Sequence, residues 1–222
     1  MVYKITQTKY RAFIETLILT LLILLIGFFV GYFVESARTG NVVSAYKEFE
    51  VTALDLKLQN YYYQIMDSAS CERAIAQNFI FADDIYEKGL KIEKYEQAND
   101  LSEELLLEKK KYVLLKTELW LNSILLKKKC EKPFNTVVYV YSQEGDVLKK
   151  AEQDALSGIL SKLKEKMGDE IILLPIAGNI GLDIVDLQLG IYGVTYLPSI
   201  IINEEQVLEG FHSVDEIEAY LK

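Results

Sequence analysis

The 222-residue chain has one histidine, two cysteines and three prolines. A lone histidine excludes any centre built from several imidazoles, and His212 falls where a turn between a strand and a helix is expected, a place for a turn residue rather than a catalyst. No phosphate-binding glycine loop, dinucleotide glycine pattern, nucleophile elbow or metal-ligand cluster is spelled in the chain, so the residues call for no cofactor and no metal. Positive charge is scarce as well: 24 Lys and Arg stand against 33 Asp and Glu, a net charge of −9. Setting aside the first 34 residues leaves 21 basic and 32 acidic side chains, a net of −11. A body of that charge repels phosphate instead of exchanging its counterions, which argues against nucleic acid or anionic lipid as a partner.

What is present begins with apolar length. Residues 12–34, "AFIETLILTLLILLIGFFVGYFV", contain a single charge, Glu15. At about 1.5 Å per residue this run is roughly 34 Å long as a helix, enough to cross a hydrocarbon layer of about 30 Å. Lys4, Lys9 and Arg11 precede it, as they would in a signal peptide. The run is longer than an h-region of about 7 to 15 residues, and "GYFVESARTG" offers no small-residue cleavage site, so an uncleaved signal-anchor is expected. Basic residues before the span, against a balanced Glu35 and Arg38 after it, place 1–11 in the cytoplasm and the rest outside the cell membrane in a single pass. Gly27 and Gly31 form a GxxxG pair that can bring two such spans together as a homodimer.

Residues 35–132 read as a helical, hairpin-forming or coiled-coil-like region, with no proline before Pro133. After a polar break at "RTGN", residues 42–66 place Leu54, Leu58, Tyr61, Tyr62 and Ile65 on one apolar stripe. A second helix is expected from Cys71 to Ala98, capped by Ser70, and a third opens with Asp100 and Glu103 in capping-box spacing. It continues with Leu105, Tyr112, Leu119 and Leu126 beside Leu106, Val113 and Trp120, a seven-residue recurrence suited to packing on a long neighbour. Such stripes are read as core.

The two cysteines, Cys71 and Cys130, lie at nearly equal distances from a bend at 99–100, so an antiparallel hairpin returns one to the level of the other. In an oxidising space a disulfide is expected there, worth about 4 kcal/mol by loop-closure entropy. Two independent buried thiols fit a reducing compartment instead, and a redox-exchanging couple is a third reading.

From 133 onward the pattern turns to strand and helix alternation. "TVVYVY" is a strand, "GDVLKKAEQDALSGILSKLKEKMG" a helix with Leu156, Ile159, Leu160 and Leu163 inward, and "EIILLPIA" a second strand. "IGLDIVDLQLGI" is a short helix, "SIIIN" and "QVLEGF" are strands, and "SVDEIEAYLK" is a helix with Ser213 and Glu216 in capping-box spacing. This order, and the spelling "YGVTYLPSIIIN" with a proline opening a strand just after a helix end, resemble the thioredoxin-like superfamily over 133–222. The resemblance implies that Pro198 is a cis-proline and that the backbone of Leu197 can pair with a bound peptide.

The same resemblance places a redox pair at the start of the helix after the first strand, where this chain has Gly145, Asp146, Val147 and Leu148. No cysteine follows Cys130, and Tyr139 stands near the place of the family's buried acid. Without a thiolate there is no nucleophile for disulfide exchange. The expectation is an α/β, thioredoxin-like domain behind a helical region and one transmembrane helix, without catalytic residues, that binds or scaffolds a protein or peptide between Gly145–Leu148 and Leu197–Pro198. Two alternatives stand beside it: a thiol-disulfide oxidoreductase or disulfide-handling chaperone using Cys71 and Cys130, and a structural spacer of a membrane complex.

Overall fold

The computed structural model describes residues 3–96, 103–130 and 134–221, with side chains at 10–33, 51–67, 69–90, 106–130 and 134–221. The bend expected at 99–100, the Asp100–Glu103 capping pair and Pro133 lie outside the described residues, as do the side chains of Lys4, Lys9, Glu35, Arg38 and Leu105. The chain is mostly helical, with one small mixed sheet, and divides into two compact units, 1–45 and 46–222.

The first unit holds the N-terminal part of α1 (Tyr3–Ile65). Its segment Tyr10–Phe33 has a mean hydropathy of 2.7 and is long and apolar enough to cross a membrane. The threonine hydroxyls within it donate back along the helix, Thr16 to Ala12 O and Phe13 O and Thr20 to Thr16 O, so neither needs water. A Cβ added at Gly27 or Gly31 would meet nothing within 4 Å. The backbone of α1 stays helical through 38–41, where a polar break is expected. One interior glycine, costing about 1 kcal/mol relative to alanine, does not stop a helix of this length.

In the second unit the end of α1 joins α2 (Cys71–Glu96) and α3 (Glu103–Cys130). α2 and α3 run antiparallel, tied by Asn78 to Ser123 at 2.9 Å and by Tyr112 donating to Ile85 O at 2.6 Å. Cys71 and Cys130 lie at disulfide distance, with an S–S separation of 2.02 Å. α1 runs parallel to α3: Asn60 bonds Asn122, Asn122 donates to Leu56 O, and Lys129 Nζ donates to Tyr63 O and Gln64 O at 2.8 Å. Lys129 thereby satisfies carbonyls that the helix end would leave open.

These contacts correct one expectation. The face of α1 turned inward is Leu56, Asn60 and Tyr63, whereas Leu54, Leu58, Tyr61, Tyr62 and Ile65 are all exposed. Asn60, with its partner on α3, and the buried Leu56 and Tyr63 beside it outcompete a purely apolar stripe that has no partner among the described residues of this unit.

The sheet contains β1 (Asn135–Tyr141), β2 (Ile171–Ala177), β3 (Ser199–Ile202) and β4 (Gln206–Glu209) in the order β2-β1-β3-β4. β1 and β2 are parallel with Asn135 opposite Ile171, and β3 is antiparallel to both β1 and β4. α4 (Val147–Met167) links β1 to β2, α5 (Asp183–Tyr192) precedes β3, and α6 (Val214–Glu218) closes the chain with a Ser213–Glu216 capping box. On one face Val137, Tyr139, Leu173, Ile200 and Ile202 pack with Leu156, Leu160 and Leu163 of α4 and Ile217 of α6. The alternate residues Val138, Val140, Ile172, Leu174 and Ile201 are buried too, so β1, β2 and β3 are covered on both faces and carry apolar residues at successive positions.

α2 and α3 pack on β2, the edge strand, where Pro175 costs no ladder bond that an interior strand would need. α3 also grips the β3–β4 turn. Asn203 and Glu204 there have φ of 52° and 59°, left-handed values that asparagine tolerates and glutamate rarely adopts. The Glu204 carboxylate is held by Trp120 Nε1 at 2.8 Å, by Thr136 Oγ1 at 2.6 Å and by the Lys127 ammonium. Trp120 in turn stacks on Tyr192 with ring centroids 5.3 Å apart.

Candidate binding site at the end of the sheet

The loop between β1 and α4 is held from below by one buried side chain. Gln153 on α4 accepts from Ser142 N at 2.6 Å and donates to Ser142 O at 3.2 Å, which satisfies both backbone groups where the strand ends. Tyr139 donates its hydroxyl to Gln153 O at 3.0 Å, so the place expected for a buried acid is filled by a neutral, hydrogen-bonded phenol. Gln143 N donates to Asn179 Oδ1 at 2.6 Å, pinning the loop to the segment after β2.

The helix tip itself carries Gly145, Asp146, Val147 and Leu148. Asp146 is the N-cap, its carboxylate accepting from Lys149 N at 2.8 Å. An acid at that position stabilises the helix through the free N–H groups and the positive end of the dipole, as a thiolate would, but it is no nucleophile toward sulfur. Val147 and Leu148 are 83% and 82% exposed.

The facing segment is Val194–Pro198. The Leu197–Pro198 peptide bond is cis. Glu209 on β4 accepts from Thr195 N at 2.6 Å, from Thr195 Oγ1 at 2.9 Å and from Tyr196 N at 2.9 Å. Those donors, led by the Thr195 N–H, hold its carboxyl below the ordinary range. Ser199 Oγ donates to Tyr196 O, and Gly210 N donates to Pro198 O at 2.8 Å. Between these anchored neighbours, the N–H and C=O of Leu197 make no hydrogen bond to another described residue. Its side chain rests on Gly178, where an added Cβ would come within 2.7 Å of Val140 Cγ1 and 3.0 Å of Leu197 Cδ1. Glycine at 178 is what allows the cis-proline segment to lie this close to β1.

The two segments meet through Tyr196, whose hydroxyl bonds Glu152 Oε2 at 3.0 Å while Lys149 Nζ sits 5.5 Å above its ring. The hydrogen bond to Glu152 pushes the Tyr196 phenol up. The structure thus brings Asp146–Lys149 and Tyr196–Pro198 to one end of the sheet. It does not bring Cys71 and Cys130 there. Lys109 lies over the Tyr141 ring at this end of β1, and Cys130 is at the other end of α3, 21 residues and about 31 Å away along the helix.

Beside the site, a cavity of about 440 Å³ opens between α2, α3, α4 and the sheet, walled by Tyr86, Tyr112, Tyr139 and Tyr141 with Lys109 and Lys116. Gln143 Oε1 borders it, buried without a hydrogen-bond partner among the described residues. Sequence reasoning missed this cavity. Its only signals were tyrosines two apart on β1 and lysines seven apart on α3, patterns that core packing also produces. No family model matches the chain, and no curated protein matches it.

Proposed function

We propose that this chain is a membrane-anchored protein with a thioredoxin-like domain on the extracytoplasmic side, and that the domain binds an extended peptide segment of another protein without redox chemistry. The observation that carries the reading is the open backbone of Leu197, next to a cis-proline and across from the exposed Val147 and Leu148. An extended strand pairs with such free N–H and C=O groups, and flanking apolar side chains give it specificity. The strand order β2-β1-β3-β4 and the succession of strand, helix, strand, helix, hairpin and helix support the fold resemblance. The N-terminal apolar helix supports the anchor, and Lys4, Lys9 and Arg11 before it support the proposed orientation.

A dithiol mechanism through Cys71 and Cys130 is disfavoured by the length of α3 between that pair and the peptide surface. The test is selection of binders from a random peptide library by the purified full chain in detergent micelles, followed by Leu197→Glu and a Val147→Glu/Leu148→Glu pair. Selected peptides are expected to lose at least tenfold in affinity to each variant. Undiminished binding by both variants refutes the site, and turnover of a protein disulfide by the full chain refutes the absence of redox chemistry.

A further inference from the structure

The apolar face of α1 that the second unit leaves uncovered consists of Val51, Leu54, Leu58, Tyr61 and Ile65, with exposures of 74, 60, 59, 54 and 82%. Their spacing alternates three and four residues across two heptads, about 21 Å of helix. At 3.6 residues per turn the stripe is centred opposite Leu56 and Tyr63, the residues buried toward α3. A second helix can therefore lie along it without displacing any contact among the described residues. A helix apolar on two opposite faces is stable in water only with both covered.

We propose that this stripe is the seam of a parallel homodimer, two copies of α1 packing Val51, Leu54, Leu58, Tyr61 and Ile65 against each other. Period 3.5 is the spacing that keeps two helices in contact along a shallow crossing, whereas a strand or an irregular loop has no use for it. The occupant is a second copy because α1 also carries the segment Tyr10–Phe33. Copies anchored by that segment in one bilayer each carry the stripe the same number of residues beyond the span, with its N-terminal end nearer to the span in sequence, and do so at raised effective concentration. In such an in-register pair Lys57 of one copy flanks the seam opposite Tyr62 of the other, a cation beside an aromatic ring. Parallel orientation rests on the anchor reading; the exposed heptad stripe does not. The peptide site at Leu197 is untouched by the pairing, so each dimer would present two of them.

The experiment uses the full chain in lipid nanodiscs and in detergent micelles. Among the described residues no cysteine is free, so Leu58→Cys adds a single reactive thiol. Mild oxidation is expected to give a covalent dimer from Leu58→Cys and none from Leu114→Cys, which is exposed on α3 away from the stripe. Leu54→Asp/Leu58→Asp/Ile65→Asp is expected to sediment as a monomer, each change weakening association by at least about tenfold. Its fold is checked by the fluorescence of Trp120, the only tryptophan, and by retention of the Cys71–Cys130 bond. Gly27→Ile/Gly31→Ile is expected to remain dimeric. A monomeric wild type, a dimeric triple variant, equal cross-linking at 58 and 114, or loss of the dimer only in the glycine variant overturns the proposal. So does a monomer whose residue 58 is shielded by lipid or by a different protein. Failure of the anchor would show separately, as a chain that does not float with vesicles.

Discussion

Glu204 offers the sharpest test of how the helical region and the sheet are joined. Its side chain is 14% exposed and its carboxylate takes Trp120 Nε1, Thr136 Oγ1 and Lys127, itself 17% exposed. Removing one member of a buried charge pair leaves the other unpaired, a loss of about 3 to 5 kcal/mol. Glu204→Ala should fall in the lower part of that range, because both members of the pair keep some access to solvent and the left-handed φ costs alanine about what it costs glutamate. For a unit of this size each kcal/mol shifts Tm by about 2 to 4 °C, so a drop of about 6 to 12 °C is expected. Lys127→Met in the same background should cost much less than it does alone, since the charge it would orphan has gone, and the coupling should be about 1 to 3 kcal/mol. Thermal and urea unfolding followed by Trp120 fluorescence reads both quantities, because the indole N–H bonds Glu204 and the ring stacks on Tyr192. Additive losses from the two substitutions, or a Glu204→Ala cost below about 1 kcal/mol, would show that the network does not bind α3 to the hairpin.

Replacing both Cys71 and Cys130 by serine opens a loop with a sequence separation of 59 and should lower stability by about 4 kcal/mol; urea midpoints measure it, and a loss under 1 kcal/mol refutes the reasoning. Burial pushes the Tyr63 phenol up to about 12, with Asp55 adding to the effect. Folding therefore keeps the neutral form, and that stability, complete below the ordinary tyrosine pKa of about 10, should be lost as pH rises from there toward 12. Ultraviolet titration should show several late-ionising tyrosines, Tyr196 and Tyr192 among them, and Tyr63→Phe should remove the component near 12. Glu209 has the opposite sign: its carboxyl is held low by Thr195, so its grip on Thr195 and Tyr196 persists above the ordinary glutamate range and is released only as pH falls through the lowered value. The amide resonances of Thr195 and Tyr196 should move together in an acid titration, with a midpoint below that of an exposed glutamate, and a midpoint at or above it would refute the assignment.

What could be read from residue order depended on how local the determining contacts are. The pairing of Cys71 with Cys130 needed only the rise of two antiparallel helices, and the cis Leu197–Pro198 bond was legible through resemblance in a dozen neighbouring residues. The capping box at Ser213 is equally local. The inward face of α1 was not legible, because two of its faces are apolar and the choice between them is made by Asn122 and Lys129, more than 60 residues away. The role of Glu204 was not legible for the same reason: Trp120, Thr136 and Lys127 come to it only once α3 has packed back over β1.

That nonlocality bears on the chemistry. A helix tip keeps its shape where a side chain satisfies its free N–H groups, and Asp146 does so here by accepting from Lys149 N. The cis-proline segment opposite keeps its geometry through Glu209 on the neighbouring strand, a partner independent of the helix tip. The open backbone of Leu197 and the N-terminal end of α4 are therefore held by separate contacts. A change in the contacts of one therefore leaves those of the other standing, so the peptide pairing proposed at Leu197 does not depend on which residue caps α4.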